Sequence, residues 1–169
     1  MLRGNLVWGL LTDNVKMSDG KGIFDTTHGN LLSGTSSALS ETSLAAAKTA
    51  MMKQKDIAGQ IIRMVSRYLV VSPENEMMAK KLITATTPTK SADVNVFAGA
   101  FDVIVEPRLT DPAAWYLMAD PYAVDSLYYA YLEGNEGLRV DSTEEFKTDS
   151  MDYAVRGDFG AAAIDYRAS

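Results

Sequence analysis

The chain has 169 residues, of which 47% are hydrophobic and 22% charged, a composition typical of a folded globular domain. It contains no cysteine and one histidine, His28, which excludes disulfides, thiolate metal sites, cysteine nucleophiles and sites that need two histidines. The formal net charge of −6 argues against a general nucleic-acid binder, which needs a basic face.

The charge is divided unevenly along the chain. Residues 1–90 carry 11 Lys/Arg and 7 Asp/Glu, whereas residues 91–169 carry 5 and 15, giving net charges of +4 and −10. A chance distribution of charged residues on a solvated surface would explain this division as well as a functional role would. The functional explanation is a subunit whose oppositely charged surfaces attract one another head to tail.

No export or membrane signal is visible in the sequence. The longest early apolar run, Leu6–Leu11, is interrupted by Gly9 and is far shorter than the about 20 residues of a spanning helix. We therefore expect an intracellular, soluble protein.

Residues 12–37 form a segment rich in Gly, Ser, Thr, Asp and Asn, which predicts an ordered but irregular loop.

A helix is predicted after this loop. Ser40 suits the N-cap, where its hydroxyl can accept a hydrogen bond from a free backbone N–H of the first turn, and Leu39 and Leu44 occupy the positions of a hydrophobic staple. The apolar stripe continues at helical spacing to Met51, and Gly59 can stop the helix.

A buried strand and a second helix are predicted next. Arg67–Val71 is a short apolar run with β-branched residues, which is typical of a buried strand. Pro73 suits the first position of a helix, and Met78 and Leu82 lie on its predicted buried face. The helix is expected to end before Pro88.

The remainder of the chain is strand-like. Its predicted strands are Phe101–Glu106, Trp115–Ala119, Ser126–Leu132 and two short pieces within Tyr153–Tyr166. Glu133–Gly137 is predicted as a turn between them. With helices early and strands late, the sequence predicts the α+β fold class.

His28 carries the only catalytic possibility that we find. Asp19 and Asp25 are close to it in sequence, so a hydrolase or ligand-binding domain would use His28 with one of them. A single histidine in a turn-rich loop more often hydrogen-bonds that loop than catalyses. The spacing of the acidic residues does not match an EF-hand loop, and the sequence predicts no metal site and no cofactor.

Several stretches, taken in order, resemble one protein family. They are Val7–Asn14, Met17–Lys21, His28–Leu31, Gln54–Asp56, Tyr68–Val71, Val105–Leu109, Trp115–Pro121, Tyr131–Gly134, Val155–Gly160 and Ile164–Arg167. On these motifs the chain resembles the C-terminal part of the major capsid (head) proteins of tailed phages, of the Mu-like head-subunit type. In some relatives this segment follows a prohead protease in the same chain.

The resemblance implies the shell fold of tailed-phage capsids, with a peripheral domain, an axial domain, an N-terminal arm and an extended loop. Residues 2–11 correspond to the end of the long spine helix or to the segment directly after it. We therefore expect residues 1–169 to be a single capsid-protein fragment without the arm, the loop and most of the spine. About 40–100 is expected to be axial, and about 101–169 to be the strand-rich return to the peripheral domain.

The resemblance also implies a structural, non-enzymatic role. The expected function is that of the major capsid subunit of a bacteriophage or prophage head, assembling into pentamers and hexamers of the icosahedral shell around DNA. The expected partners are further copies and other virion, scaffolding or protease components, with no sequence-specific nucleic acid and no membrane. The expected location is the virion, assembled in the bacterial cytoplasm.

The uneven charge suits the heterologous contacts that close rings. We expect basic side chains of one copy to meet acidic side chains of the next. The basic candidates are Lys53, Lys55, Arg63 and Arg67, and the acidic candidates are Glu133, Glu136, Asp141, Glu144 and Glu145.

Two other functions are weighed against this one. A small α+β ligand-binding domain or hydrolase using His28 with Asp19 or Asp25 would show one concave site converging on His28, whereas a shell subunit would show flat, extended faces. Another structural virion component, such as a decoration or connector protein, is disfavoured by the ordered match to capsid motifs.

Overall fold

The computed structural model describes residues 2–34, 37–84, 97–145 and 147–169. The helices in these ranges are α1 (Leu2–Thr12), α2 (Glu41–Met52) and α3 (Glu76–Ile83), with a 3-10 turn at Pro73–Asn75 before α3. The strands are β1 (Ser66–Val71), β2 (Asp102–Val105), β3 (Trp115–Ala119), β4 (Leu127–Tyr131), β5 (Arg139–Glu145), β6 (Ser150–Arg156) and β7 (Phe159–Ala163). The predicted α+β class is confirmed.

The strands of the described ranges pair into three sheets. The central sheet has the order β2-β1-β3, with β1 parallel to β2 and antiparallel to β3. A parallel pair needs a crossover connection, and α3 lies in the segment that joins β1 to β2. β4 pairs with β7, and β5 pairs with β6, so the β5–β6 hairpin is an insertion between the two strands of another sheet.

The hydrophobic core packs helices against the central sheet. Alternate residues of a strand point to opposite faces, so Leu69 and Val71 of β1 share one face and join Leu44 of α2 and Ala79 of α3 in one buried cluster. Val70, on the other face of β1, is also buried. Burial on both faces explains why β1 reads as a continuous apolar run and could be predicted from it.

The first turn of α2 is capped as its sequence predicts. Ser43 N donates to Ser40 Oγ at 3.2 Å, and Ser40 N donates to Ser43 Oγ at 2.9 Å. This is a capping box in which a serine stands where glutamate or glutamine is usual. Leu39 and Leu44 are both buried, as the predicted staple requires.

Helix α1 is held to the turn that follows β2. The buried Glu106 carboxylate accepts hydrogen bonds from Arg108 Nε at 2.6 Å and Nη2 at 2.8 Å, and the guanidinium lies 5.8 Å from the centre of the Trp8 ring of α1. The hydrogen bonds from Arg108 hold the pKa of the Glu106 carboxyl below its usual range, so this buried side chain is charged and paired. Helix α1 also contacts β7.

Two predictions of local structure were wrong. Helix α2 ends at Met52, because the chain turns back through Asp56–Gln60, and Gly59 serves that turn with a φ of 80°. The second wrong prediction is the burial of Met78 on α3: Met78 is exposed and Ala79 is buried in its place, whereas Leu82 packs against the core as predicted. The predicted end of this helix at Pro88 lies outside the described residues.

One strand of the late segment was missed. No strand was predicted at Arg139–Glu145, which is β5. Its residues are mostly polar, and both of its faces are solvent-accessible, so the burial signal that identifies β1 is missing.

None of the helices in the described ranges has the length and apolar character needed to cross a bilayer.

Candidate functional site

The first candidate site is the environment of the His28 side chain. Its Nε2 lies 2.7 Å from Asp19 Oδ2 and its Nδ1 lies 3.2 Å from the carbonyl oxygen of Ile23. Its ring stacks on that of Tyr166, with centroids 3.7 Å apart and an interplanar angle of 4°. Gln54 Nε2 donates to the His28 carbonyl oxygen at 3.0 Å. His28 therefore joins the early loop to the segment after α2 and to the end of the chain.

We call this arrangement the His28 lock, because its contacts fix the early loop to two other parts of the chain. Each ring nitrogen lies beside an oxygen of the same loop, so both have a polar neighbour within the chain. Asp25 is occupied by the backbone N–H and hydroxyl of Thr27, at 2.7 Å and 2.6 Å. The structure thus pairs His28 with Asp19 and leaves Asp25 outside the pair.

The hydrogen bond from His28 lowers the pKa of the Asp19 carboxyl, and the backbone N–H of Lys21 lowers it further. The pKa of an aspartate carboxyl in the unfolded chain is about 4. A carboxyl whose pKa is lower than this in the folded state stabilises the fold at pH values above about 4. That contribution is lost as the pH falls through the lowered value. The loop is therefore expected to loosen in acid, with Asp19 among the groups responsible.

An open, mainly apolar cavity of about 280 Å³ lies beside this lock. Its lining includes Leu11 and Phe24 from the N-terminal part, Met51 of α2, and Trp115 and Tyr116 of β3. The lining does not include His28, Asp19 or Asp25. Within the described ranges, no group of three or more acidic or histidine side chains is placed to hold a metal ion. The converging site that a His28 enzyme requires does not form around this cavity.

Replacing His28 with alanine is expected to lower the free energy of unfolding by about 2 kcal/mol, since it removes a buried, stacked ring and its polar contacts with Asp19 and Ile23. Urea denaturation monitored by circular dichroism measures the change. Thr26→Ala is the matched control, because Thr26 lies in the same loop with its side chain exposed. Equal free energies of unfolding for the two variants would contradict a stabilising role of the His28 contacts.

The second candidate site is a pair of oppositely charged surface segments. Residues 53–65, hereafter the basic loop, contain the exposed side chains Lys53, Lys55 and Arg63. The loop is folded on itself, because Asp56 N donates to Gln60 O and Ile62 N donates to Gln54 O, both at 2.8 Å. Arg167 Nε also donates to the Lys55 carbonyl oxygen at 2.9 Å, which fixes the loop to the end of the chain.

The basic loop combines its charge with exposed apolar side chains. Ile57 is 96% exposed, and Ile61 and Val65 are more than half exposed. None of the three basic side chains forms an ion pair with an acidic group in the part of the chain that the structure describes. Exposed apolar side chains rimmed by charged ones mark interaction surfaces when they form a patch, so we treat the basic loop as a candidate contact surface.

The acidic candidates lie on and beside the β5–β6 hairpin. Glu133 and Glu136 are exposed in the connection between β4 and β5, and Glu144 is exposed on β5. None of these three forms an ion pair within the described ranges. The side chain of Glu145 lies outside the described part of the chain, although its backbone ends β5.

Two of the predicted interface residues are neutralised within the chain. Arg67 forms ion pairs with Asp120 and, at 3.4 Å, with Asp102, and thereby ties one end of the central sheet together. Asp141 lies 3.1 Å from Arg139 and 3.8 Å from Arg156 on the hairpin. The charges left for a partner are those of Lys53, Lys55 and Arg63 on one segment and Glu133, Glu136 and Glu144 on the other.

The pairing of the hairpin was not predicted, although its second strand, β6, overlaps a strand piece predicted within Tyr153–Tyr166. The signal that could have revealed it is on β6, where Met151-Asp152-Tyr153-Ala154-Val155 alternates large apolar residues with polar or small ones, and Val140 of β5 adds one more apolar residue. The large apolar members of this alternation are more than half exposed in the structure. The candidate interface therefore includes an exposed apolar face of the hairpin in addition to the predicted charged residues.

Comparisons with known proteins point to one family. A family model described as a phage capsid protein matches residues 2–169, which is all of the chain except the first residue. No curated protein matches the chain. No solved structure matches it either.

Proposed function

The chain belongs to a family of phage capsid proteins, a structural family of the virion, and from this premise we propose that it is the major shell subunit of a tailed-phage or prophage head. In this proposal, copies assemble into pentamers and hexamers of the icosahedral shell that encloses DNA. The family match over nearly the whole chain is the single observation that carries the proposal. The Mu-like head-subunit type is proposed from the ordered motifs of the sequence.

A role without catalysis follows from the same premise. The His28 lock and the apolar cavity beside it do not converge into a reaction site within the described ranges. We propose that the protein is not an enzyme and uses no cofactor. Its partners are further copies of itself and other virion, scaffolding or protease components, and assembly takes place in the bacterial cytoplasm. The net charge of −6 fits a container that does not bind the enclosed DNA tightly, because basic side chains supply the attraction to phosphates.

The two-part division of the shell fold also enters as a proposal. Residues of about 40–100 are assigned to the axial part, and about 101–169 to the strand-rich part that returns to the peripheral domain. The central sheet draws on both, because β1 belongs to the first part and its neighbours β2 and β3 to the second. The β4–β7 sheet, which α1 contacts, supports the peripheral assignment.

We propose a heterologous contact between the basic loop of one copy and the acidic segment of the next. The support is that both carry charges left uncompensated among the described residues, with opposite signs, on one chain. Contacts between two different patches related by rotation produce closed rings, as pentamers and hexamers require. Exposed ion pairs are screened by salt, so the contact should weaken as the ionic strength rises.

Light scattering at low and moderate salt tests this function. We expect a mass well above that of the 18.4 kDa chain at about 0.05 M salt, and a smaller mass at about 0.5 M, because the Debye length shortens over this range. A mass that rises with salt would instead indicate a mainly apolar contact. A mass of one chain at all salt and protein concentrations would contradict self-assembly through these segments.

A further inference from the structure

We propose that the exposed apolar face of the β5–β6 hairpin docks on the basic loop of a second copy of this chain. The inference rests on the proposed shell function and deepens it by naming the contact surface. It assigns a role to a face that neither the predicted charged residues nor the family match identifies.

The pairing register shows that the hairpin is two-faced. In an antiparallel pair, directly opposed residues point to the same side. Val140 opposes Val155, Ser142 opposes Tyr153 and Glu144 opposes Met151, so these side chains share one face. The intervening pairs place mainly polar and charged residues on the other face: Arg139 with Arg156, Asp141 with Ala154, and Thr143 with Asp152.

The polar face carries ion pairs within the hairpin, whereas the apolar face is exposed to solvent. On the polar face, Asp141 forms ion pairs with both Arg139 and Arg156. On the apolar face, Val140, Met151, Tyr153 and Val155 are all more than half exposed. An isolated two-stranded hairpin is marginally stable in water and needs a third strand or another surface against its hydrophobic face. The hairpin is therefore built to be covered on one side.

Charge complementarity identifies a second copy as the partner. The apolar face is bordered by Glu144 on β5, and the connection leading into the hairpin carries Glu133 and Glu136. The basic loop offers the matching surface, with exposed Ile57 and Ile61 among uncompensated basic side chains. Apolar groups would meet apolar groups while acidic groups meet basic ones, which fixes the register of the contact as well as its strength.

The contact is heterologous, because each copy presents one hairpin and one basic loop. Every subunit of a ring can then use both surfaces at once, and the ring closes without leaving this apolar face exposed. A hairpin that bound only the hairpin of another copy would instead yield two-fold dimers. This difference between the two modes gives the test.

Single cysteines test the contact cleanly, because the natural chain has none. Tyr153→Cys places a thiol on the apolar face, and Ile61→Cys places one on the basic loop. Mixing the two variants and oxidising mildly is expected to give a covalent dimer on a non-reducing gel, whereas each variant alone gives none. Met151→Cys is a second probe of the same face in case Tyr153→Cys does not fold. Ala154→Cys, on the opposite face of the same strand, is the matched control and should not cross-link to Ile61→Cys.

The outcomes separate this inference from the proposed function. If the unmodified chain assembles but neither Tyr153→Cys nor Met151→Cys cross-links to Ile61→Cys, the docking proposal is overturned and the shell function stands. Cross-linking of Tyr153→Cys only to itself would also overturn it, in favour of a hairpin-to-hairpin dimer. If the unmodified chain does not associate at all, both proposals fail together.

Substitutions on the same face supply an independent readout. Val140→Thr combined with Val155→Thr keeps β-branched side chains in the strands but makes the face polar. We expect the protein concentration needed for association to rise by about tenfold, because two apolar contacts are lost from the proposed interface. Ala154→Thr, which introduces the same residue type on the opposite face, should leave that concentration unchanged. Equal effects of the two changes would count against the proposal.

Discussion

Replacing Leu69 with alanine is expected to lower the free energy of unfolding by about 2–5 kcal/mol, the range for a buried leucine truncated to alanine. Leu69 lies at the centre of β1, has no exposed surface, and belongs to the cluster that joins the central sheet to α2 and α3. Since domains of this size are stable by about 5–15 kcal/mol, the variant would lose a large share of its stability. Urea denaturation at a protein concentration and salt at which the chain is dispersed measures the loss.

The same substitution at an exposed position provides the control. Leu132 follows β4 and is 56% exposed, so Leu132→Ala should change the free energy of unfolding by less than about 0.5 kcal/mol. If Leu69→Ala were as stable as Leu132→Ala, the central sheet would not be the core of the fold. The comparison therefore tests the arrangement of β2, β1 and β3 on which the position of the basic loop depends.

Reversing the charge of the basic loop is expected to weaken self-association by about 100-fold, because Lys53→Glu with Lys55→Glu replaces two attractions by two repulsions across the contact. Both side chains are exposed and lack an acidic partner within the described ranges, so the fold itself should be unaffected. Light scattering over a concentration series measures the association. Unchanged association would contradict the electrostatic contact.

A control and a rescue make the result specific. Lys16→Glu with Lys81→Glu changes the net charge by the same amount at exposed sites outside the basic loop, and should leave association nearly unchanged. Mixing the reversed variant with one carrying Glu133→Lys and Glu136→Lys should restore association between the two. If the control variant were equally impaired, net charge and not a local contact would govern assembly.

The sequence predicts those elements whose signal is local. Strand β1 is a buried apolar run, and the start of α2 is marked by Ser40 and the Leu39–Leu44 staple, so both were found. The end of α2 depends on contacts that no local pattern reveals: Gln54 binds the His28 carbonyl oxygen, and the chain reverses after it. On α3, Leu82 was correctly placed on the buried face but Met78 was not, since the neighbouring Ala79 is the buried residue.

The candidate sites show the same division between local and distant information. The proximity of His28 to Asp19 is visible in the sequence, but the stacking of its ring on Tyr166, 138 positions away, is not. Charge segregation directs attention to two segments. Only the folded chain shows that Arg67 and Asp141 are neutralised internally, and that the apolar residues of β5 and β6 share one exposed face.

Negative-stain electron microscopy of the purified chain at low salt tests the central claim most directly. The proposed shell subunit predicts rings of five or six copies, or closed polyhedral shells built from them, since heterologous contacts related by rotation close on themselves. Two-fold dimers, or single chains at every protein concentration tested, would contradict a shell subunit that assembles through the basic loop and the hairpin.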